Sequence, residues 1–319
     1  MPPNRHPLRR FLSWTLLALL LGGAALTAAF WAPDRPVAEL SARWAPPPSR
    51  FIAIEGMQVH LRDEGSRDDP SPILLLHGTS ASLHTWEGWA QALRGQRRVI
   101  SVDLPGFGLT GPFPDGDYRL AHYTRFLGEL LDALGVRHAV IAGNSFGGQV
   151  AIEMALEQPD RVDKLILVDA LAYPGDPASI PIGFRIARMP VLNQAMQYVL
   201  PRRVVEDSIR DVYGDPSKVT SALVDRYFDM SVRAGNRASL PARFQYLPTE
   251  ASAARIGEVA EPTLILWGAR DRLIPPEHGE HLQRDIAGSR LVMFPGLGHI
   301  PQEEDPAITV AAAIEFLNR

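Results

Sequence analysis

Cysteine is absent from the 319 residues, and lysine is nearly so, with Lys164 and Lys218 the only two. Without cysteine the chain can form no disulfide, offer no thiolate to a metal and use no thiol nucleophile. That absence does not set the compartment, because disulfide-free proteins live on both sides of membranes. A strong excess of one charge sign is missing too. A net charge of -4 and a pI near 6.1 leave no electrostatic footprint for nucleic acid. Neither internal repeats nor low-complexity tracts occur outside one proline-rich stretch. With 46% hydrophobic and 21% charged residues, the chain can bury a large core in one domain or two.

The N-terminus departs from these averages. Arg5, Arg9 and Arg10 precede an uncharged run from Phe11 to Ala32, 22 residues or about 33 Å as a helix, enough to span a bilayer core. Phe11 and Trp14 stand at one end and Phe30 and Trp31 at the other, where interfacial aromatics belong. Residues 1–32 therefore read as a membrane anchor. A cleaved signal peptide, with Thr27-Ala28-Ala29 as a small-residue site, is the alternative. Either sends the remainder across the membrane while the arginines stay on the cytoplasmic side. What remains carries 29 basic against 36 acidic residues. Residues 33–50 follow as a linker, in which Pro33, Pro36, Pro46, Pro47 and Pro48 favour an extended tether without a helix, or an arm lying on the domain.

From Phe51 to Arg319 strands and helices alternate. Residues 51–54 and 57–62 around Glu55-Gly56 read as a hairpin. The apolar runs Ile73–Leu76, Val99–Val102, Ala139–Ala142, Leu165–Val168, Thr263–Trp267 and Arg290–Phe294 read as buried parallel strands. Helical patterns separate them at Thr85–Leu93, Leu120–Leu134, Phe146–Gln158, Glu277–Ile286 and Pro306–Leu317. The expected class is α/β, a mostly parallel central sheet covered by helices on both faces. One stretch, about 171–250, carries only helical patterns: Ile182–Ala187, Val191–Leu200, Val204–Val212, Lys218–Ala234 and Arg237–Tyr246. It reads as a helical cap over the edge where parallel sheets bind ligands.

Gly143-Asn144-Ser145-Phe146-Gly147 follows one strand and opens a helix. A serine on so tight a turn needs small residues two before and two after it, which makes Ser145 the candidate nucleophile. Its base would be His299, in the loop Gly296-Leu297-Gly298-His299-Ile300-Pro301 after the last strand. Asp271 and Asp169 both end near strands at the same edge. The chain order Ser145, Asp271, His299 favours Asp271, and leaves Asp169 to support the cap junction. An oxyanion would need two amides: Phe146, after the serine, and Thr79, in a loop shaped by His77 and Gly78. His60, His122 and His138 fit structural positions, and His278 with His281 a solvated helix face without further metal ligands. Gly106-Phe107-Gly108-Leu109-Thr110-Gly111 matches a dinucleotide fingerprint, but Pro112, Pro114 and Gly116 prolong the loop where a helix should start.

Together with Asp103-Leu104-Pro105-Gly106-Phe107-Gly108 and Trp267-Gly268-Ala269-Arg270-Asp271, these segments resemble the α/β-hydrolase family from about Phe51 to Arg319. The resemblance implies a triad of Ser145, His299 and Asp271, an oxyanion hole from the Thr79 and Phe146 amides, and a cap after the sixth strand. No metal or organic cofactor is implied. Haloalkane dehalogenases and epoxide hydrolases place aspartate where Ser145 stands. The segment around Ser145 is similar to the meta-cleavage-product carbon–carbon hydrolases, but those have a glycine-rich oxyanion loop and a tryptophan after the histidine. Thr79-Ser80-Ala81-Ser82 and Ile300 occupy those places here. The expected activity is therefore hydrolysis of small-molecule carboxylic esters, with an apolar pocket from the cap and Phe146 along its wall. Carbon–carbon bond hydrolysis and a non-catalytic ligand-binding role are the alternatives.

Overall fold

The computed structural model describes residues 6–175 and 180–319. Arg5, and positions 176–179 of the expected cap, lie outside the described residues. The first helix, α1 (His6–Ala29), includes a stretch, Arg9–Ala29, long and apolar enough to cross a bilayer and not buried in the protein.

The segment expected to be a bare tether instead contains a helix, α2 (Val37–Trp44). Its prolines flank the helix without interrupting it. Pro36 caps the N-terminus and Pro46–Pro48 follow the end, so no backbone hydrogen bond inside is lost. Leu40 on its inner face packs against Leu109 and Met230.

The sheet has eight strands: β1 (Arg50–Ile54), β2 (Met57–Glu64), β3 (Ile73–Leu76), β4 (Val99–Val102), β5 (Ala139–Asn144), β6 (Val162–Val168), β7 (Thr263–Gly268) and β8 (Arg290–Phe294). Their order is β1-β2-β4-β3-β5-β6-β7-β8, with β1 and β2 antiparallel and every pairing beyond β4 parallel. The hairpin turns at Glu55 and Gly56, both at positive φ, which suits the right-handed twist of the paired strands.

Alternate residues of the central strands go to opposite faces, and each face is apolar. Ile73, Leu75, Ile166 and Leu264 meet α3 (Glu87–Leu93) and α14 (Pro306–Leu317) through Trp89, Val310 and Phe316. Leu74, Leu76, Ile141, Leu165 and Ile265 meet α4 (Leu120–Ala133), α5 (Phe146–Glu157) and α12 (Glu277–Asp285). Helix α3 starts later than the sequence pattern indicates, because Leu83–Trp86 form a tighter 3₁₀ turn first.

The cap follows β6. It comprises α6 (Ile182–Ala187), α7 (Pro190–Ala195), α8 (Arg202–Val212), α9 (Ser221–Ser231) and α10 (Asn236–Arg243), with α11 (Glu250–Ala254) leading back to β7. Helix α9 is shorter than the expected Lys218–Ala234, since Thr220 caps it by accepting the Leu223 amide. A short helix α13 (Pro301–Glu304) precedes α14. The N-terminal arm is strapped to the cap: Arg35 Nη1 and Trp44 Nε1 both donate to Asp229, at 3.0 and 2.8 Å.

Candidate active site

Ser145 sits between β5 and α5 with φ 54° and ψ -117°, a conformation that costs free energy in a non-glycine residue. The surroundings over-determine it. Its amide donates to the Val168 carbonyl at 3.0 Å, and its own carbonyl accepts the Leu171 amide at 2.9 Å. A Cβ on Gly143 would run into the Gly147 carbonyl, and one on Gly147 into the Leu76 carbonyl. Small residues two before and two after the serine are thus a steric requirement of this turn.

The other candidate residues converge from three loops at the same sheet edge. His299 lies between β8 and α13, and its Nδ1 is 2.7 Å from Asp271 Oδ2, in the loop after β7. The remaining Asp271 oxygen accepts the Leu273 and Ile274 amides at 2.8 and 3.0 Å. Two backbone amides thus fix one Asp271 oxygen and leave the other facing His299 Nδ1, which orients the ring. His299 and Ser145 line one cavity of about 130 Å³.

Thr79 lines that cavity beside Ser145. Among the described residues, neither the Thr79 amide nor the Phe146 amide donates to an acceptor in the chain. His77 shapes the loop as expected: its Nδ1 donates to the Gly78 carbonyl at 2.7 Å and its Nε2 accepts the Leu104 amide at 2.9 Å. Burial pushes the His77 pKa down, so the ring stays neutral and serves as a brace. Gly78 lets this loop approach Asn144 and Ser145, which a Cβ would crowd.

Two expectations need correction. The Phe146 side chain does not line the cavity; it points into the core, fully buried, with its ring under the Arg243 guanidinium at 3.9 Å. As the first residue of α5 its amide faces the edge while its side chain follows the helix inward. His278 is only half-buried and faces a second cavity, while its neighbour His281 is exposed. His60, His122 and His138 each pair with a carboxylate, Asp103, Glu55 and Asp163, and none of them lines either cavity. The glycine-rich segment 106–111 folds back on itself, Gly106 donating to the Gly111 carbonyl, and no helix begins before Leu120.

Asp169 belongs to the site more closely than a cap support would. Its carboxylate, that of Asp271 and the His299 ring offer atoms all within 4.8 Å of one another. Asp169 Oδ1 accepts the Gly268 amide at 3.0 Å, and Oδ2 is buried without a partner. Burial first, and the adjacent Asp271 charge second, push the Asp169 pKa well above the usual carboxylate range. Sequence reasoning also missed Glu304. Its carboxylate accepts the Gly298, Gly214 and Asp215 amides at 2.9, 2.9 and 2.8 Å, fastening the His299 loop to the cap. The only sequence signal was acidic residues in the first turn of α13.

The chain is similar to several known proteins. The sequence profile described as "Alpha/beta hydrolase family" matches residues 73–313. A protein of Mycobacterium tuberculosis without an assigned activity is 31% identical over 298 residues, covering 89% of this chain and 84% of its own. The 2-hydroxymuconate semialdehyde hydrolase of Pseudomonas sp. (strain CF600) is 28% identical, covering 86% and 95%. Among solved structures, a thermophilic esterase from Thermogutta terrifontis superposes with a TM-score of 0.68 at 27% identity, covering 85% and 97%.

Proposed function

The chain belongs to the alpha/beta hydrolase family, and on that premise we propose that it is a serine hydrolase cleaving carboxylic esters of small or hydrophobic substrates through an acyl-enzyme intermediate. The observation that carries this reading is the shared cavity: a strained Ser145 and a His299 oriented by Asp271 line the same space, whose other walls are largely apolar. Ser145 Oγ attacks the ester carbonyl while His299 Nε2 takes its proton, and Asp271 stabilises the imidazolium that results. The Thr79 and Phe146 amides receive the oxyanion. His299 then returns the proton to the departing alkoxide. Water, deprotonated in turn by His299, cleaves the acyl-enzyme and restores the serine.

Replacing Ser145 by alanine abolishes ester hydrolysis without unfolding the domain, as circular dichroism and initial rates would record. Retained turnover in the purified variant overturns the assignment. Labelling of Ser145 by a fluorophosphonate separates an enzyme from a non-catalytic ligand-binding member. A second reading, carbon–carbon hydrolysis of a meta-cleavage product, is favoured by the identity to the 2-hydroxymuconate semialdehyde hydrolase. Direct assay of such a product beside a set of acyl esters distinguishes the two.

The same proposal holds the enzyme at a membrane through residues 1–32, with the catalytic domain on the extracytoplasmic side. The apolar helix α1, with Arg9 and Arg10 near its N-terminal end, supports it. Release after signal cleavage is the alternative outcome.

A further inference from the structure

Thr79, Ser145, Phe184 and Leu273 line two cavities at once, so the nucleophile sits at a seam. The first is the apolar one already described. Its one charged wall residue, Arg237, is neutralised by Asp34 at 2.6 Å. The second, about 200 Å³, runs toward Arg188, Arg243 and His278 and has no carboxylate among its described lining residues.

Arg243 is the unusual member. It is 1% exposed, and among the described residues its guanidinium finds no counter-ion. Nη1 donates to the Tyr246 carbonyl at 3.1 Å, Nη2 makes a long 3.4 Å contact to Gln149 Oε1, and Nε has no partner. The Phe146 ring below it supplies a cation–π contact. Burial pushes its pKa down to about 10, which still leaves it charged at neutral pH. Among the described residues the other buried arginines have carboxylates, Arg98 meeting Asp63 and Arg237 meeting Asp34, while the less buried Arg233 has only the Ala234 and Thr110 carbonyls. Arg188, at the open end of the second cavity, stacks on Phe244 and has no ion pair among the described residues. A burial cost of this kind is tolerated where an anion arrives to offset it.

We propose that the second cavity is a carboxylate subsite, governed by Arg243 and Arg188, and that the preferred substrate is an ester whose acyl part carries a free carboxylate, a monoester of a dicarboxylic acid with an apolar alcohol. The assignment of sides follows from His299. A leaving alkoxide must collect its proton there, and His299 lines the first cavity but not the second. The alcohol therefore occupies the apolar cavity and the acyl part extends toward the arginines. The inference rests on the serine-hydrolase reading above.

The test compares kcat/KM of the full chain for 4-nitrophenyl hydrogen glutarate and for 4-nitrophenyl pentanoate, its neutral counterpart. The expected preference for the anionic ester is about tenfold or more, the range of one charge-assisted hydrogen bond. Arg188→Gln, at an exposed position, lowers that ratio through KM for the glutarate. Arg243→Gln lowers it further, and Arg243→Lys restores part of it. Equal turnover of the two esters, or a ratio unmoved in both glutamine variants, overturns the subsite. Fluorophosphonate labelling of Ser145 in the same preparations tells the failures apart. Labelled protein without a preference sinks the subsite alone, and unlabelled folded protein sinks the hydrolase reading with it.

Discussion

Asn144, the residue before the candidate nucleophile, donates its side-chain amide to the carbonyl of His299 at 3.0 Å and to that of Val168 at 3.1 Å. One side chain at the end of β5 thus fixes the loop that carries the base and the strand that carries Asp169. The His299 amide, for its part, donates to the Val212 carbonyl at the end of α8 in the cap. The histidine loop is held from below by the sheet and from above by the cap.

Removing the lower hold should misplace the base without removing it. Asn144→Ala is expected to reduce kcat by about tenfold or more, since small errors in the position of a catalytic group are costly. Fluorophosphonate labelling of Ser145 should slow in parallel while KM for a short ester changes little. Steady-state kinetics on the purified variant check this, and an unchanged kcat would show that the cap alone positions His299.

Much of this arrangement is legible in the amino-acid sequence, for a physical reason. Strands β3 and β4 begin and end where their apolar runs do, because the central strands bury both faces. Ser145, Asp271 and His299 stand out because the turn and loop chemistry around each is local. What stays hidden depends on partners distant in sequence. Helix α2 is a short amphipathic piece whose stability comes from Leu40 packing on residues far along the chain. Glu304 reads as one of several acids in a helix's first turn, and only the fold brings Gly214 and Asp215 of the cap to meet it. The sequence places Asp169 and Asp271 at one edge as rival acids, but nothing in the residues around Asp169 signals that both carboxyls share one dry space beside His299.

That shared space makes a prediction about stability. Asp271 accepts two backbone amides and faces His299 Nδ1, whereas Asp169 accepts one amide, so the pair's proton resides on Asp169. Its folded pKa is raised above the unfolded value, so the folded state keeps a proton that the unfolded state has lost. Stability from this group is fully present below the ordinary carboxylate range and drains as pH rises toward the folded value, on the order of 1.4 kcal/mol per pH unit. Asp169→Asn cannot ionise and loses nothing over that window. The variant should be more stable than the parent at pH 7, with the gap closing toward pH 4, as urea unfolding at the two pH values would reveal. A gap that widens toward acid would place the proton elsewhere.

The last prediction concerns how the site meets a membrane. The end of α1 is joined to the cap. The Ala32 amide donates to the Tyr198 carbonyl at 2.8 Å, the Leu200 amide to the Phe30 carbonyl at 3.1 Å, and Trp31 stacks on Tyr198 with centroids 5.9 Å apart. Beside this junction α7 and its flanks turn apolar side chains outward: Met189, Leu192 and Val191, the last 80% exposed. Met196 and Leu200, just beyond, line the first cavity. An anchor ending there would hold this rim of the cap against the headgroup region, where exposed apolar residues gain by burial. The full chain should therefore remain in the membrane pellet after a carbonate wash, with its N-terminus intact by mass spectrometry, and deletion of residues 1–29 should release it. In the full chain, Val191→Asp should depress hydrolysis of a long-chain ester presented in vesicles and spare that of a short soluble ester, because it alters the rim and leaves the triad alone. A mature chain beginning after Ala29 would instead identify α1 as a signal peptide, and equal loss on both esters would mean that Val191 supports the fold and not the approach to lipid.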